Sequence, residues 1–155
     1  MIANKLGERG LMDNFYTGEF RVVMDDKGRM RIPNKIKTQL GNAQYMICAG
    51  TDKSLLLMTN EEFKEKVVEL ANDTKLSEFD KQNALRALSS TVFFPEEDAQ
   101  GRFVLQEKLK EYAGIKKEIV FLGAFTRIEI WAAERYKYCA VNELDINSIV
   151  KELGL

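Results

Sequence analysis

The sequence predicts a mainly β fold with helices, of the α+β class, in which two related halves of one chain interlock about a pseudo-twofold axis. Three observations predict it. Sliding the chain on itself by 73 positions aligns residues 20–64 with 93–137 without a gap. Short runs of alternating apolar residues are separated by Gly and Asp at turn spacing, and helical apolar spacing follows each group of runs. A unit of about 45 residues is too small to bury a stable core alone, so the two copies are expected to share one.

The displacement pairs Asp25 with Asp98, Gly28 with Gly101, Arg29 with Arg102, Lys35 with Lys108, Lys37 with Lys110, Gly41 with Gly114, Gly50 with Gly123 and Glu61 with Glu134. Chance does not place three glycines and an Asp-x-x-Gly-Arg in one register. The expected organisation is a single domain over 15–140. Repeat 1 covers about 15–64, linker helices 74–90 and repeat 2 about 93–137. Residues 1–14 form an N-terminal extension and 141–155 a C-terminal helix.

In the first copy Phe20, Val22 and Met24 alternate with Arg21 and Val23, Asp25-Asp26-Lys27-Gly28 supplies turn chemistry, and Met30 and Ile32 alternate with Arg29 and Arg31. The pattern predicts a β-hairpin. Pro33 suits the first turn of a short helix carrying Ile36 and Leu40, which Gly41 ends in the manner of a left-handed cap. Tyr45–Ala49 and Ser54–Met58 predict a second strand pair around Gly50–Lys53. A helix over 61–71 follows, with Phe63, Val67 and Leu70 on one face. The second copy repeats the order: strand 102–105, helix 107–113 ended by Gly114, strands 119–122 and 127–131, helix 133–140. Asp145 is expected to cap a last helix whose Ile146, Ile149, Val150 and Leu153 form an apolar stripe, expected to serve as core or as a lid on it, with a partner-binding helix as the alternative.

Composition bounds the function. At 155 residues, 45% apolar and 30% charged, the chain is an ordinary globular protein. The longest apolar stretch, Ile119–Phe125, is far short of the ~18 residues a membrane span needs, so no membrane association is expected. Residues 1–14 interleave Lys5, Glu8, Arg9 and Asp13 with apolar residues, unlike a secretory signal, and a cytoplasmic location is expected. Cys48 and Cys139 lack CxxC spacing and the chain has no His. The usual zinc sites and imidazole catalysis are thereby excluded, and no cofactor or small-molecule substrate is expected.

One Asp per copy near a pseudo-twofold axis is also the plan of a proton-sharing carboxylate dyad, which makes a hydrolase one alternative. The residues argue against it. A dyad places a small hydroxyl residue and Gly after the Asp, whereas here an Arg follows four positions on and would hold the carboxylate ionised. The other use of this motif is a scaffolded cation. Burying Met30 and Ile32 turns Arg29 and Arg31 outward together. With Lys27, Lys35 and Lys37 they give residues 25–37 a local charge of +3 inside a chain of net −1. Asp25 is expected to fix the loop through Arg29 or a turn amide.

At these residues the chain becomes recognisable. Phe15-Tyr-Thr-Gly-Glu-Phe20, Asp25-Asp-Lys-Gly-Arg-Met-Arg-Ile-Pro33, Asp98-Ala-Gln-Gly-Arg102, Leu109-Lys-Glu-Tyr-Ala-Gly-Ile115 and Arg127-Ile-Glu-Ile-Trp131 together resemble the MraZ family of bacterial transcriptional regulators. The resemblance implies a double-split β-barrel related to AbrB and MazE DNA-binding domains, assembled into closed homo-oligomeric rings. It implies a nucleoid-associated repressor bound to double-stranded DNA at short G-rich direct repeats, upstream of its own gene and of the division and cell-wall cluster. The resemblance places Asp25, Lys27 and Arg29, and Asp98 and Arg102, on the DNA-facing surface; with the outward Arg31 and Lys35 the expected DNA-binding set is Lys27, Arg29, Arg31, Lys35 and Arg102, supported by Asp25, Gly28, Asp98 and Gly101. The second motif departs from the pattern at Ala99 and Gln106, which leaves Arg102 the lone cation of its loop. A ring-forming scaffold without nucleic acid is the other alternative.

Overall fold

A computed structural model describes residues 15–139 and 143–155. In chain order its elements are β1 (Tyr16–Val23), β2 (Arg29–Arg31), α1 (Asn34–Leu40), β3 (Tyr45–Ala49), β4 (Leu55–Thr59), α2 (Asn60–Ala71), α3 (Glu78–Ser89), β5 (Arg102–Val104), α4 (Glu107–Ala113), β6 (Glu118–Phe125), β7 (Ile128–Ala132), α5 (Ala133–Cys139) and α6 (Glu143–Glu152). The expected N-terminal extension, 1–14, the last residue of the expected helix 133–140 and the first two of the expected C-terminal helix 141–155 lie outside the described residues. No described helix is long and apolar enough to cross a membrane.

The alternation that predicted strands assigns their faces correctly. Tyr16 and Met24 are buried, Phe20 and Val22 half-buried, and Arg21 and Val23 exposed. The expected hairpin between β1 and β2, however, does not form. β1 lies antiparallel to β6, with Tyr16 opposite Phe125, and β2 lies antiparallel to β5, with Met30 opposite Phe103. Alternation specifies the face a strand buries and leaves its neighbour open. Here each strand reaches across to the other half of the chain.

The later hairpins, β3–β4 and β6–β7, do pair as expected. They join through β4–β7 into a five-stranded sheet ordered β1-β6-β7-β4-β3, separate from the two-stranded β2–β5 ribbon. Phe93 adds one bridge to Ile47 at the β3 edge. In the ladders β2–β5 and β4–β7 the central pairs are Met30 with Phe103 and Leu56 with Glu129, each pair 73 positions apart.

Ile36 and Leu40 of α1, Leu109 and Ala113 of α4, the sheet residues Ile47, Leu55, Leu57, Phe121, Ile128 and Ile130, and the ribbon's Met30 and Phe103 form one buried cluster. The ribbon is therefore anchored by its apolar face and wet on the other. Pro33 precedes α1 as its N-cap rather than standing in its first turn. Gly41 (φ 66°) and Gly114 (φ 65°) end α1 and α4 with positive φ, the second in full left-handed geometry. Thr59 and Glu62 close a capping box at the start of α2.

Two expectations fail at the C-terminus. Asp145 lies inside α6 rather than capping it. The stripe of Ile146, Ile149, Val150 and Leu153 is exposed, so among the described residues it is neither core nor lid, and the partner-binding alternative stands.

Candidate nucleic-acid interface

The loop before β2 is built by one carboxylate. Asp25 Oδ1 accepts the backbone N–H groups of Lys27 (2.9 Å) and Arg29 (2.8 Å), and Oδ2 accepts Arg29 Nε at 2.7 Å. The backbone closes the same loop, from Gly28 N to Asp25 O and from Asp25 N to Arg29 O. Gly28 sits at φ 76°, a conformation that disfavours any residue with a Cβ.

The loop before β5 is its duplicate. Asp98 Oδ1 accepts Gln100 N and Arg102 N, and Oδ2 accepts Arg102 Nε, all at 2.9 Å. Gly101 takes φ 78°. Asp25 therefore pairs with both the amide and the guanidinium, the two roles the sequence left open. The backbone N–H of Arg29 and of Arg102, with the guanidinium of each, hold the two carboxyls below the usual carboxylate range.

Both ion pairs use Nε, and the Nη groups of Arg29 and Arg102, which carry the remaining guanidinium N–H donors, have no partner among the described residues. Each aspartate thus holds the stem of an arginine and leaves its head open. Because β2 and β5 run antiparallel, Asp25 and Asp98 stand at opposite ends of the ribbon, each on its own Arg. Two carboxylates so placed and kept ionised do not share a proton.

The ribbon brings together what the chain separates. Its ladder sets Arg31 opposite Arg102, and Arg29 opposite Val104. With Met30 and Phe103 buried beneath, Arg29, Arg31, Arg102 and Val104 share the outer face. Arg102, the lone cation of its own loop, thus meets Arg31 across the ladder, a neighbour that only strand pairing supplies.

Lys27 and Lys35 are exposed beside this face, on the loop and on α1. Lys37 is not available with them. It is half-buried and bonded to Glu97, which also accepts from the Tyr45 hydroxyl. Burial opposes ionisation of Glu97, and these two donors outweigh it, holding the carboxyl below its ordinary value.

The structure adds three residues that the sequence reading missed. Met24 N donates to Lys117 O at 2.8 Å, which brings exposed Lys116 and Lys117 to the flank of the first loop. The residues 73 positions earlier, Ala43 and Gln44, are neutral, so the paired lysines were a usable signal. Val104, 54% exposed on the arginine face, left no signal without the pairing. Cys48 is buried in β3, and burial raises its thiol to about 11, so it is inert. Among the described residues no cluster of His, Cys, Asp or Glu could hold a metal.

Comparison with known proteins gives one consistent answer. The family model described as "MraZ protein, putative antitoxin-like" matches residues 15–87 and 91–152. Relatives carrying the name "Transcriptional regulator MraZ" include one from Lachnoclostridium phytofermentans, 32% identical over 90% of this chain and 98% of the relative. One from Clostridium botulinum strain Eklund 17B is 35% identical over 90% and 96%, and one from Symbiobacterium thermophilum 38% identical over 77% and 85%.

Proposed function

The chain belongs to the MraZ family, and from that premise we propose that it is a sequence-specific DNA-binding regulator of transcription whose β2–β5 ribbon faces the DNA. One observation carries the reading: three guanidinia, of Arg29, Arg31 and Arg102, lie on the outer face of a two-stranded ribbon, two of them oriented by Asp25 and Asp98 with their Nη groups open. The major groove admits a two-stranded β-ribbon, and Arg reads guanine O6 and N7 bidentately, which favours G-rich sites. Arg29 and Arg31, two strand steps apart, are separated by about 7 Å along the strand, close to two base steps. Lys27, Lys35 and Lys117 flank the face and suit phosphates, which position without specifying sequence.

A chain of net −1 binds DNA this way because its positive charge is local. The two central ladder pairs 73 positions apart support a duplicated unit within one domain over 15–140, of double-split barrel type. Several copies in a ring would meet direct repeats together, adding modest contacts through effective concentration. This reading makes the protein a nucleoid-associated, autoregulatory repressor in the cytoplasm rather than an enzyme.

The test is gel retardation of the DNA upstream of the protein's own gene against a scrambled duplex at moderate salt. Preferential retardation by the wild-type chain, lost in Arg29→Ala with native circular dichroism, is expected. Equal affinity for the two duplexes would overturn the proposal.

A further inference from the structure

The outer face of the β2–β5 ribbon is apolar at one corner. Arg29, Arg31 and Arg102 point outward from it, and the fourth outward side chain, Val104, is 54% exposed directly opposite Arg29. A single exposed valine is ordinary on a protein surface. This one stands among guanidinia, while Met30 and Phe103 carry the burial on the other face, so its side chain adds nothing to the core.

The two loops at the ends of the ribbon are built alike, Asp25 on Arg29 and Asp98 on Arg102. The face between them is not. Where the first copy has Arg31, the second, 73 positions on, has Val104. One end of the ribbon therefore pairs two arginines, Arg31 and Arg102, and the other pairs Arg29 with a branched apolar side chain.

An apolar side chain facing the major groove has one target among the bases. Every base pair presents hydrogen-bonding groups there, and thymine alone adds a methyl, on C5. Side chains opposed across an antiparallel ladder stand about 4.5–5.5 Å apart, and successive bases about 3.4 Å apart. A thymine one or two steps from the guanine under Arg29 thus comes beneath Val104.

We propose that Val104 is a specificity-determining residue, which packs its isopropyl group against the C5-methyl of a thymine one or two base steps from the guanine read by Arg29. This contact deepens the DNA-binding reading above and rests on it. Because Arg31 holds the equivalent place at the other end, only one end of the ribbon reads a methyl, and each site is read in one direction. The contact releases no counterion, which separates it from every cation on the face.

The experiment uses the full chain and the duplex from upstream of its own gene, with one thymine at a time replaced by deoxyuridine at the same place in every repeat. Deoxyuridine removes the methyl and keeps the hydrogen-bonding groups. At one place the wild-type chain is expected to bind about fourfold more weakly for each methyl lost, the worth of one buried methylene-sized group. Val104→Ser should bind the unsubstituted duplex more weakly, ignore that replacement, and keep the wild-type slope of log K against log salt. Val104→Thr, which keeps the branched shape and one methyl, should retain part of the sensitivity if Ser unsettles the ribbon. Wild-type preference for its own duplex over a scrambled one, with no response to any replacement, would overturn this contact and leave the DNA-binding reading standing. Undiminished sensitivity in Val104→Ser would do the same, as would a change in its light scattering, which would assign Val104 to a contact between chains. No preference by the wild-type chain would overturn both.

Discussion

Arg31 and Arg102 face one another across the β2–β5 ladder, two like charges in directly opposed positions. Opposed like charges weaken a sheet by about 0.2–1 kcal/mol, a cost that Asp98 on Arg102 partly offsets and that an anion bound at this face would remove. Arg31→Thr should therefore raise the thermal midpoint slightly while weakening DNA binding. Thermal unfolding and gel retardation on the same preparation check this; a loss of both together would show that Arg31 supports the fold instead.

Arg29 and Lys35 should separate in kind. Arg29→Ala is expected to erode the preference for guanine, because its guanidinium is oriented by Asp25 with the Nη groups open. Lys35→Ala should reduce the slope of log K against log salt, by about 0.9 for each phosphate that Lys35 neutralises, without changing which site is preferred. Salt titrations on the repeat and on a scrambled duplex distinguish the two, and identical behaviour of both variants would contradict the assignment.

Val104 stands where the 73-position displacement puts the partner of Arg31. Val104→Arg should supply the missing cation and steepen the salt dependence by up to about 0.9 per chain engaged. An unchanged slope would place the outer end of β5 away from the phosphates.

The two loop carboxylates predict an acid limb in stability. Asp25 and Asp98 ionise below their ordinary value of 3.8 in the folded chain. A depressed carboxyl contributes stability that is fully present above the unfolded value and is lost as pH falls through the folded one. The Asp25→Asn, Asp98→Asn double variant should lack that contribution, so its denaturant midpoint should fall less than the wild type's as pH drops below about 4. Parallel curves would mean that the carboxylates do not hold the loops.

Gly123 governs the long β1–β6 ladder. It lies opposite Gly18, and a Cβ on it would come within 2.4 Å of Thr17 N and 2.6 Å of Tyr16 C. Backbone cannot yield as a side-chain tip does. Gly123→Ala should destabilise the chain by more than about 1 kcal/mol, a scale typical of overpacking, measured by urea unfolding. A neutral result would show that β1 can move aside.

The sequence by itself determined the features whose interactions close within a few residues. In Asp25-x-x-Gly28-Arg29 every bond runs between positions at most four apart, so residue type and spacing suffice to build the loop, and Asp98–Arg102 repeats it for the same reason. The outward turn of Arg29 and Arg31 was likewise legible, because the period of a strand alone sends them opposite to Met30. Helix α4 and strand β3 fall where their apolar spacing and bounding glycines place them.

Tertiary structure alone decided the partners. Alternation cannot say which strand a strand will meet, so it missed the exchange by which β1 pairs with β6 and β2 with β5. With that exchange it missed the meeting of Arg31 and Arg102. Lys37 looked like a free cation until the fold brought Glu97 and Tyr45 to it, and the α6 stripe looked like core until the fold left it exposed among the described residues. In each case the deciding partner lies far along the chain, where the burial of one shared core selects among pairings that local propensity leaves equivalent.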